Sequence, residues 1–220
     1  AYVRSNVTAS TFITGRLNAL VLINRDGEIV LSEGFNLYRE ESAPLPDGLE
    51  AHLGPGSLLV PESDRLDMVS GVLSLPGGPL LVSSLPILTS SAEGPSHGRL
   101  IFGRSLDSVA VQHLAEMSDL LLSTTSLDGP LTRELEQARA ELDSPASIHI
   151  RPLSVQSIAG YGLFADIYGS PALLLKVEMS RDIYEQGRAS IWYFMLALVG
   201  SGIVFSVMVL LLLEQSVLAP

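Results

Sequence analysis

The class of this protein depends on one stretch near the end of the chain, IWYFMLALVGSGIVFSVMVLLLL, which occupies residues 191–213 and contains no charged side chain. A helix rises about 1.5 Å per residue, so this stretch is long enough to cross the roughly 30 Å of hydrocarbon in a bilayer. Trp192 and Tyr193 stand at its start, where aromatic rings favour the headgroup layer. The sequence therefore predicts a transmembrane helix over residues 190–213.

The region before this helix is acidic. All 13 Lys and Arg, and every one of the 24 Asp and Glu except Glu214, precede it. Such a charge repels phosphate backbones and argues against nucleic acid as a partner. The positive-inside rule compares both flanks of a span. Since only residues 214–220 follow it here, charge leaves the orientation open.

The residue patterns of catalytic and metal sites are absent from the sequence. The four histidines are not paired at ligand spacing, and the chain contains no cysteine that could complete a metal site. Neither a nucleophile elbow nor a phosphate-binding glycine loop occurs. We expect no catalytic residue, no metal and no cofactor; the histidines are His52, His97, His113 and His149.

Short strands dominate the region before residue 190. Residues 19–23 and 29–35 flank the turn Asn-Arg-Asp-Gly, which predicts a β-hairpin. A second hairpin is predicted at 69–75 and 80–87, around Pro-Gly-Gly-Pro. Further strands are predicted at 99–104, 149–153, 157–167 and 172–178.

Four short helices interrupt these strands. They are predicted from Thr8 onwards, at 46–53, from Asp107 or Ser108, and from Pro130 to residue 142. Hairpins interrupted by helices are typical of an α+β domain built on an antiparallel sheet. The apolar faces predicted for the last two helices are Leu106, Ala110, Leu114 and Met117, then Leu131, Leu135, Ala138 and Leu142.

The segment that leads into the predicted span is a candidate signal relay. A helix over 181–189 continues into the span, with Arg181 at its start and Gly187 as its one weak point. Within the span, two pairs of small residues, four positions apart, could let two helices approach closely. Such pairs also arise by chance in apolar sequence; they are Ala197 with Ser201, and Gly202 with Ser206.

Several stretches together resemble the CHASE type-four domain, an extracytoplasmic sensory module of bacterial histidine kinases and cyclic di-GMP enzymes. Their order and spacing match that family, although no single stretch is diagnostic. The matching stretches are LNALVLINRDGEIVLSEGF (17–35), PLPDGLEAHL (44–53), SGVLSLPGGPLLVSSLPILTSSAEGPSHGRLIFGRSLD (70–107) and GYGLFADIYGSPALLLKVEMSRDIYEQG (160–187).

The resemblance implies a PAS-like periplasmic fold for residues 1–189, outside the bacterial inner membrane. It also implies truncation at both ends. A first transmembrane helix and most of an N-terminal helix would lie upstream, and residues 214–220 would begin a HAMP-like linker. The implied receptor is a homodimer with a cytoplasmic output domain, and whether that output is a two-component histidine kinase or a cyclic di-GMP enzyme stays open.

Three residues are candidates for contact with a ligand in such a domain. Arg104 ends a predicted strand and could hold an anion. Asp166 and Tyr168 lie in the segment Asp-Ile-Tyr-Gly beside the last predicted turn. The structural alternative is that Asp166 caps this turn and that the Tyr168 ring packs at the sheet edge.

The sequence thus predicts a sensor that relays a conformational change through its transmembrane helix. The cue is a small molecule or a protein that the sequence does not identify. Two alternatives stay open, a chemoreceptor with the same outer domain and a membrane-tethered interaction scaffold with no enzymatic output.

Overall fold

The structure is a computed structural model that describes residues 7–61, 66–90, 95–118, 120–142, 144, 147–154 and 156–217. Of the stretches 182–186, 188–189 and 214–217, only the backbone is described. Residues 218–220, the end of the predicted HAMP-like linker, lie outside the described residues. The described chain folds into α-helices and antiparallel strands, which confirms the predicted α+β class.

The first sheet has six strands, in the order β3-β2-β1-β6-β5-β4. Its last strand in the sequence, β6, lies at the centre beside β1, and the first hairpin, β1–β2, lies between β6 and the short edge strand β3. This is the PAS-like arrangement that the resemblance implies. The strands are β1 (Ala19–Asn24), β2 (Ile29–Asn36), β3 (Glu41–Ala43), β4 (Val69–Leu73), β5 (Leu80–Pro86) and β6 (Gly98–Ser105).

The turn between β1 and β2 explains why this hairpin was predictable. The Asn24 side-chain oxygen accepts hydrogen bonds from the amides of Asp26 and Glu28, at 3.0 and 2.8 Å. Gly27 takes the positive φ of 82° that such a turn needs and that a residue with a Cβ atom resists. The chain reversal is therefore encoded within five residues.

Each face of the first sheet covers a separate apolar core. Helix α1 (Ala9–Gly15) packs Phe12 against Phe35 on one face, with ring centroids 5.0 Å apart. The other face is covered by the connection between β3 and β4, which includes a 3₁₀ turn, Leu49–His52. This turn replaces the helix predicted at 46–53. The second core is filled by aliphatic side chains, among them Val21, Leu49, Leu59, Leu73 and Ile101.

A second, four-stranded sheet follows, in the order β7-β10-β9-β8. Its strands β9 and β10 are the predicted strands 157–167 and 172–178, and β8 is the predicted strand 149–153. Two helices belong to this part of the chain. The elements are α2 (Ser108–Ser118), β7 (Leu121–Ser126), α3 (Arg133–Ala140), β8 (Ile148–Pro152), β9 (Ser157–Ala165) and β10 (Pro171–Ser180).

The predicted apolar face of α2 is wrong. Leu106 and Val111 are buried, with Leu173 of β10 in the same cluster. Leu114 and Met117, predicted to face the core, are exposed by 42% and 74%. The predicted face was rotated about the helix axis relative to the observed one. It was counted from Leu106, which precedes the helix and therefore does not show which side of the helix is buried. The face predicted for α3 is largely correct, since Ala138 and Leu142 are buried and Leu135 packs on them.

The last helix, α4 (Asp182–Val217), contains the predicted span. Its segment Ser190–Leu213 is long and apolar enough to cross a membrane, and none of it is buried against the rest of the chain.

The chain divides into two compact units. One comprises Ala1–Ile150 with Ala159–Glu178, and the other Arg151–Ile158 with Met179–Pro220.

Candidate functional site

Arg104 is held at the centre of the first sheet, near the end of β6. Asn18 fixes the backbone on both sides of it: the Asn18 amide donates to the Gly103 carbonyl at 2.8 Å, and its side-chain oxygen accepts from the Ser105 amide at 2.9 Å. The Asn18 side-chain nitrogen donates to the Phe35 carbonyl at 3.2 Å. Arg104 is half-buried, on the same face of β6 as Leu100 and Phe102, which pack toward α1.

A cavity of about 470 Å³ opens beside Arg104, at the ends of α1 and β6 and along α2. This volume lies within the range of small-molecule sites, about 300–1,000 Å³. Its walls combine apolar side chains with several groups that carry charge or donate hydrogen bonds. The polar groups include Arg16, Tyr38, Arg104, Asp107, His113 and Glu116.

Tyr38 and Asp107 form a fixed pair at the edge of this cavity. The Tyr38 hydroxyl donates to a carboxylate oxygen of Asp107 at 2.5 Å, and the other oxygen accepts from the Ala110 amide at 2.9 Å. Asp107 therefore caps α2, as predicted. Desolvation and the neighbouring Asp107 carboxylate together raise the pKa of Tyr38 to about 12. The Tyr38 hydroxyl therefore keeps its proton over the physiological pH range.

Asp166 and Tyr168 do not line the cavity of Arg104. They lie in the turn between β9 and β10, residues 166–170, called the docked turn below. The Asp166 side chain accepts hydrogen bonds from the amides of Tyr168 and Ser170, at 2.9 and 2.8 Å. Asp166 thus has the turn-capping role that the sequence offered as the structural alternative.

The docked turn contacts the edge of the first sheet. The Ile167 amide donates to the Val72 carbonyl at 2.8 Å, and the Ile167 side chain packs on the larger apolar core. The Tyr168 hydroxyl lies 2.7 Å from Nδ1 of His52, and their rings are 5.4 Å apart. Burial, and then the charge of Asp166, raise the pKa of Tyr168. The turn is therefore attached by backbone, side-chain packing and a polar contact.

The candidate relay residues lie where the last strand meets the last helix. Arg181 is the one residue between β10 and α4, and its amide donates to the Gln156 carbonyl at 2.8 Å. The helix begins at Asp182 instead of the predicted 181. Gly187 lies in its first turns, and a Cβ atom there would meet no atom within 4 Å. A side chain at Gly187 therefore fits without steric conflict.

The four small residues of the span are exposed on α4. Ser206 donates its hydroxyl to the carbonyl of Gly202, one turn earlier, at 2.9 Å. This bond satisfies the hydroxyl inside the helix, as apolar surroundings require. Ala197 and Ser201 lie one turn apart on the same helix.

The sequence did not single out Arg16, Tyr38 or His52 as site residues. Arg16 follows α1 with the left-handed φ of 50°, a backbone conformation that a sequence pattern does not reveal for arginine. Tyr38 and His52 find their partners 69 and 116 positions away. No local signal could have joined these pairs.

The class of protein is a sensor domain followed by one helix that is long and apolar enough to cross a membrane. The chain belongs to the CHASE4 domain family, whose model matches residues 1–124. The match covers the first sheet, α2 and part of β7, while the stretch 160–187 that contributed to the resemblance lies beyond it. The chain is accordingly a sensor domain and not an enzyme.

Known proteins support this membership. The methanogenesis regulatory histidine kinase FilI of Methanothrix harundinacea is 30% identical over 221 residues, which take in the whole of this chain. The chain spans only 24% of the length of that relative. The relative is therefore a much longer protein than this chain, and any catalytic activity it has is a property of that longer protein.

Two solved structures resemble the fold loosely. One is the extracellular domain of the histidine kinase vpHK1S-Z8, with a TM-score of 0.43 and 10% identity over 79% of this chain and 72% of that one. The other is a domain of a sensory box/GGDEF family protein from Vibrio parahaemolyticus, with the same TM-score and identity over 79% of this chain and 76% of that one.

Proposed function

We propose that this chain senses a cue outside the cytoplasmic membrane and relays it through α4 to a cytoplasmic output domain. In this proposal residues 1–189 face outward, 190–213 span the membrane, and 214–220 begin a HAMP-like linker. Family membership supports the sensing role. The apolar surface of Ser190–Leu213, which packs against nothing else in the described chain, supports the span.

One observation carries the relay. Strand β10 begins directly after the docked turn and ends one residue before α4. A displacement of the docked turn against the first sheet therefore acts on a strand that is continuous with the transmembrane helix. Because a strand resists stretching, such a displacement is transmitted along the chain instead of being absorbed by a loop.

The contacts of the docked turn are weak enough to act as a switch. The turn makes one hydrogen bond to the first sheet, from Ile167 to Val72, and one to His52 of the 3₁₀ turn. Each contributes about 0.5–1.5 kcal/mol. Allosteric coupling energies are typically about 1–3 kcal/mol, so a cue that prefers one position of the turn by this amount changes the population of the receptor states. The cue needs no large rearrangement of the sheet.

A histidine kinase is the output that we favour. The full-length relative is named as a histidine kinase, whereas the evidence for a cyclic di-GMP enzyme is a loose structural likeness. We also propose a homodimer whose two spans meet along Ala197 with Ser201 and Gly202 with Ser206, since small residues at this spacing permit close helix packing.

Cross-linking of the docked turn tests the relay. The chain has no cysteine, so His52→Cys with Tyr168→Cys introduces the one thiol pair of this region into the full-length receptor. A short dithiol-reactive linker then fixes the turn to the 3₁₀ segment. We expect receptor autophosphorylation in membrane vesicles to become independent of the cue.

The control variant cross-links two neighbouring strands of the first sheet without touching the turn. Ser70 and Ser83 are register partners on β4 and β5, and Ser70→Cys with Ser83→Cys should leave regulation intact. Normal regulation in the cross-linked His52–Tyr168 variant would contradict the relay.

A further inference from the structure

The cavity beside Arg104 is lined by two arginines, Arg16 and Arg104. Before the span the chain contains 13 basic and 23 acidic residues, so carboxylates outnumber cations. Among the described residues, no carboxylate lies within ion-pair distance of Arg16 or Arg104, although both line this cavity. Both guanidinium groups are therefore available to an anion that enters the cavity.

The acidic groups of the same cavity are already engaged. Asp107 accepts from Tyr38 and from the Ala110 amide. Glu116 accepts from the Gln112 side chain at 3.2 Å. Neither carboxylate lies within ion-pair distance of the two arginines that line the same cavity.

Arg104 has a position that a merely solvated charge would not need. Arg104 is half-buried on the central strand of the sheet, between backbone groups that Asn18 fixes on both sides. Burying a charge is unfavourable unless a partner compensates it. Arg16 is exposed at the end of α1, where its left-handed backbone, at φ 50°, forms the C-cap of the helix, and its side chain lines the cavity.

We propose that this cavity binds a small organic carboxylate, the cue of the sensor. A planar guanidinium matches a carboxylate in bidentate geometry. The apolar side chains of Ile13, Leu37 and Val109 line the same cavity and suit a hydrocarbon body better than an inorganic anion. This assignment rests on the proposed sensing function and names its ligand class.

The elements around this cavity also contact the strand that leads to α4. The ligand would contact α1 through Arg16, β6 through Arg104, and α2 through His113. Helix α2 buries Val111 against Leu173 of β10. A carboxylate that draws these elements together therefore acts on the strand that continues into α4.

Thermal unfolding of the whole chain in lipid nanodiscs, followed by circular dichroism, tests the site. The probes are acetate, butyrate and succinate, with butyramide as the uncharged match of butyrate and with sodium phosphate and sodium sulfate at equal ionic strength. We expect a concentration-dependent rise in Tm with at least one carboxylate and none with butyramide, phosphate or sulfate.

Two variants assign the effect to the arginines. Arg104→Gln and Arg16→Gln should each raise the Kd for the active carboxylate about tenfold to hundredfold, the range expected for loss of a charged hydrogen-bonding group. Arg39→Gln is the matched control, because Arg39 is exposed, pairs with Glu41 and does not line the cavity. It should leave the Kd unchanged.

Three outcomes would overturn the proposal: no carboxylate raises Tm, the inorganic anions raise it equally, or the rise persists in both cavity variants. None of these outcomes would contradict the proposed relay, because the cross-linked residues His52 and Tyr168 do not line this cavity. Conversely, if a carboxylate binds but cross-linking leaves regulation unaltered, the proposed relay is contradicted and the proposed carboxylate site is supported.

Discussion

The backbone amide of Ile167 donates a 2.8 Å hydrogen bond to the carbonyl oxygen of Val72, and this bond joins the two sheets of the domain. Val72 lies on the edge strand of the first sheet, where an unpaired carbonyl would otherwise face solvent. The side chain of Ile167 follows its amide into the larger apolar core. The last hairpin is thus anchored at its tip, while its other end leads to α4.

The first prediction concerns this anchor. Ile167→Ala removes apolar contacts with the core but keeps the backbone bond, and we expect it to lower the free energy of unfolding by about 1–2 kcal/mol, less than for a fully buried isoleucine. The matched control is Ile148→Ala, since Ile148 is 75% exposed. Denaturant unfolding measures both. Equal effects of the two substitutions would show that the turn is not anchored through Ile167.

The second prediction concerns Lys176. Its ammonium group lies 2.7 Å from both Glu134 and Glu178, and its side chain is only 16% exposed. Tyr161, buried beside it, donates its hydroxyl to Glu134. Removal of the cation takes this ion-pair contact from both Glu134 and Glu178. We expect Lys176→Ala to lower the free energy of unfolding by about 1–3 kcal/mol.

A surface pair provides the comparison for Lys176. Arg39 and Glu41 lie 3.5 Å apart with 76% and 57% of their side chains exposed, and water screens such pairs. Arg39→Ala should therefore change stability by less than about 1 kcal/mol. A loss in Arg39→Ala as large as in Lys176→Ala would contradict the importance given to burial.

The pH dependence of the Lys176 contribution has a definite sign. Burial lowers the pKa of Lys176, but its hydrogen bonds to Glu134 and Glu178 outweigh this, so the folded-state pKa lies above the ordinary 10.5. The stabilisation is fully present below pH 10.5 and is lost as the pH rises through the folded-state pKa. The difference in stability between wild type and Lys176→Ala should shrink over that alkaline range, and a constant difference would contradict the pairing.

The local parts of this fold were predictable, and the parts that depend on distant contacts were not. The β1–β2 hairpin is encoded by Asn24 and Gly27 at its own turn. Strand β7 was missed because its residues Leu121–Ser126 alternate poorly and acquire strand geometry by pairing with β10, some fifty positions later, as in Leu173 with Ser126. Propensity is a weak guide where pairing decides.

The candidate site shows the same division. Arg104 could be chosen from its position at the end of a strand, and it does line a cavity. Asp166 and Tyr168 also follow the end of a strand, but Asp166 accepts a hydrogen bond within the docked turn and Tyr168 contacts His52. What separates the two cases is the tertiary partner, Asn18 beside Arg104 and His52 beside Tyr168, which a sequence does not specify.

The third prediction concerns the left-handed backbone of Arg16. Relief of this strain offsets the greater flexibility of glycine in the unfolded chain, so Arg16→Gly should keep or raise the free energy of unfolding, by up to about 1 kcal/mol. Glu40, at φ 53°, is the matched control. Both glycine variants should be similarly stable, but only Arg16→Gly should lose carboxylate binding. A strongly destabilised Arg16→Gly would mean that the arginine side chain supports the fold.

The fourth prediction concerns the ionisation of Tyr38. Desolvation and the Asp107 carboxylate raise the pKa of Tyr38 from 10.0 to about 12. The unfolded chain releases this proton near pH 10, so the stability that the pair contributes is present below that pH and is lost between pH 10 and about 12. Carbon-13 NMR of labelled tyrosine, assigned with Tyr38→Phe, measures the pKa directly.

Asp107→Asn tests the cause of the Tyr38 shift without removing the helix cap, because asparagine also caps helix N-termini. Loss of the negative charge should bring the pKa of Tyr38 back toward 10.0, the ordinary value. Helix content, measured by circular dichroism, should be unchanged. A pKa that stays near 12 in Asp107→Asn would show that desolvation alone holds the proton.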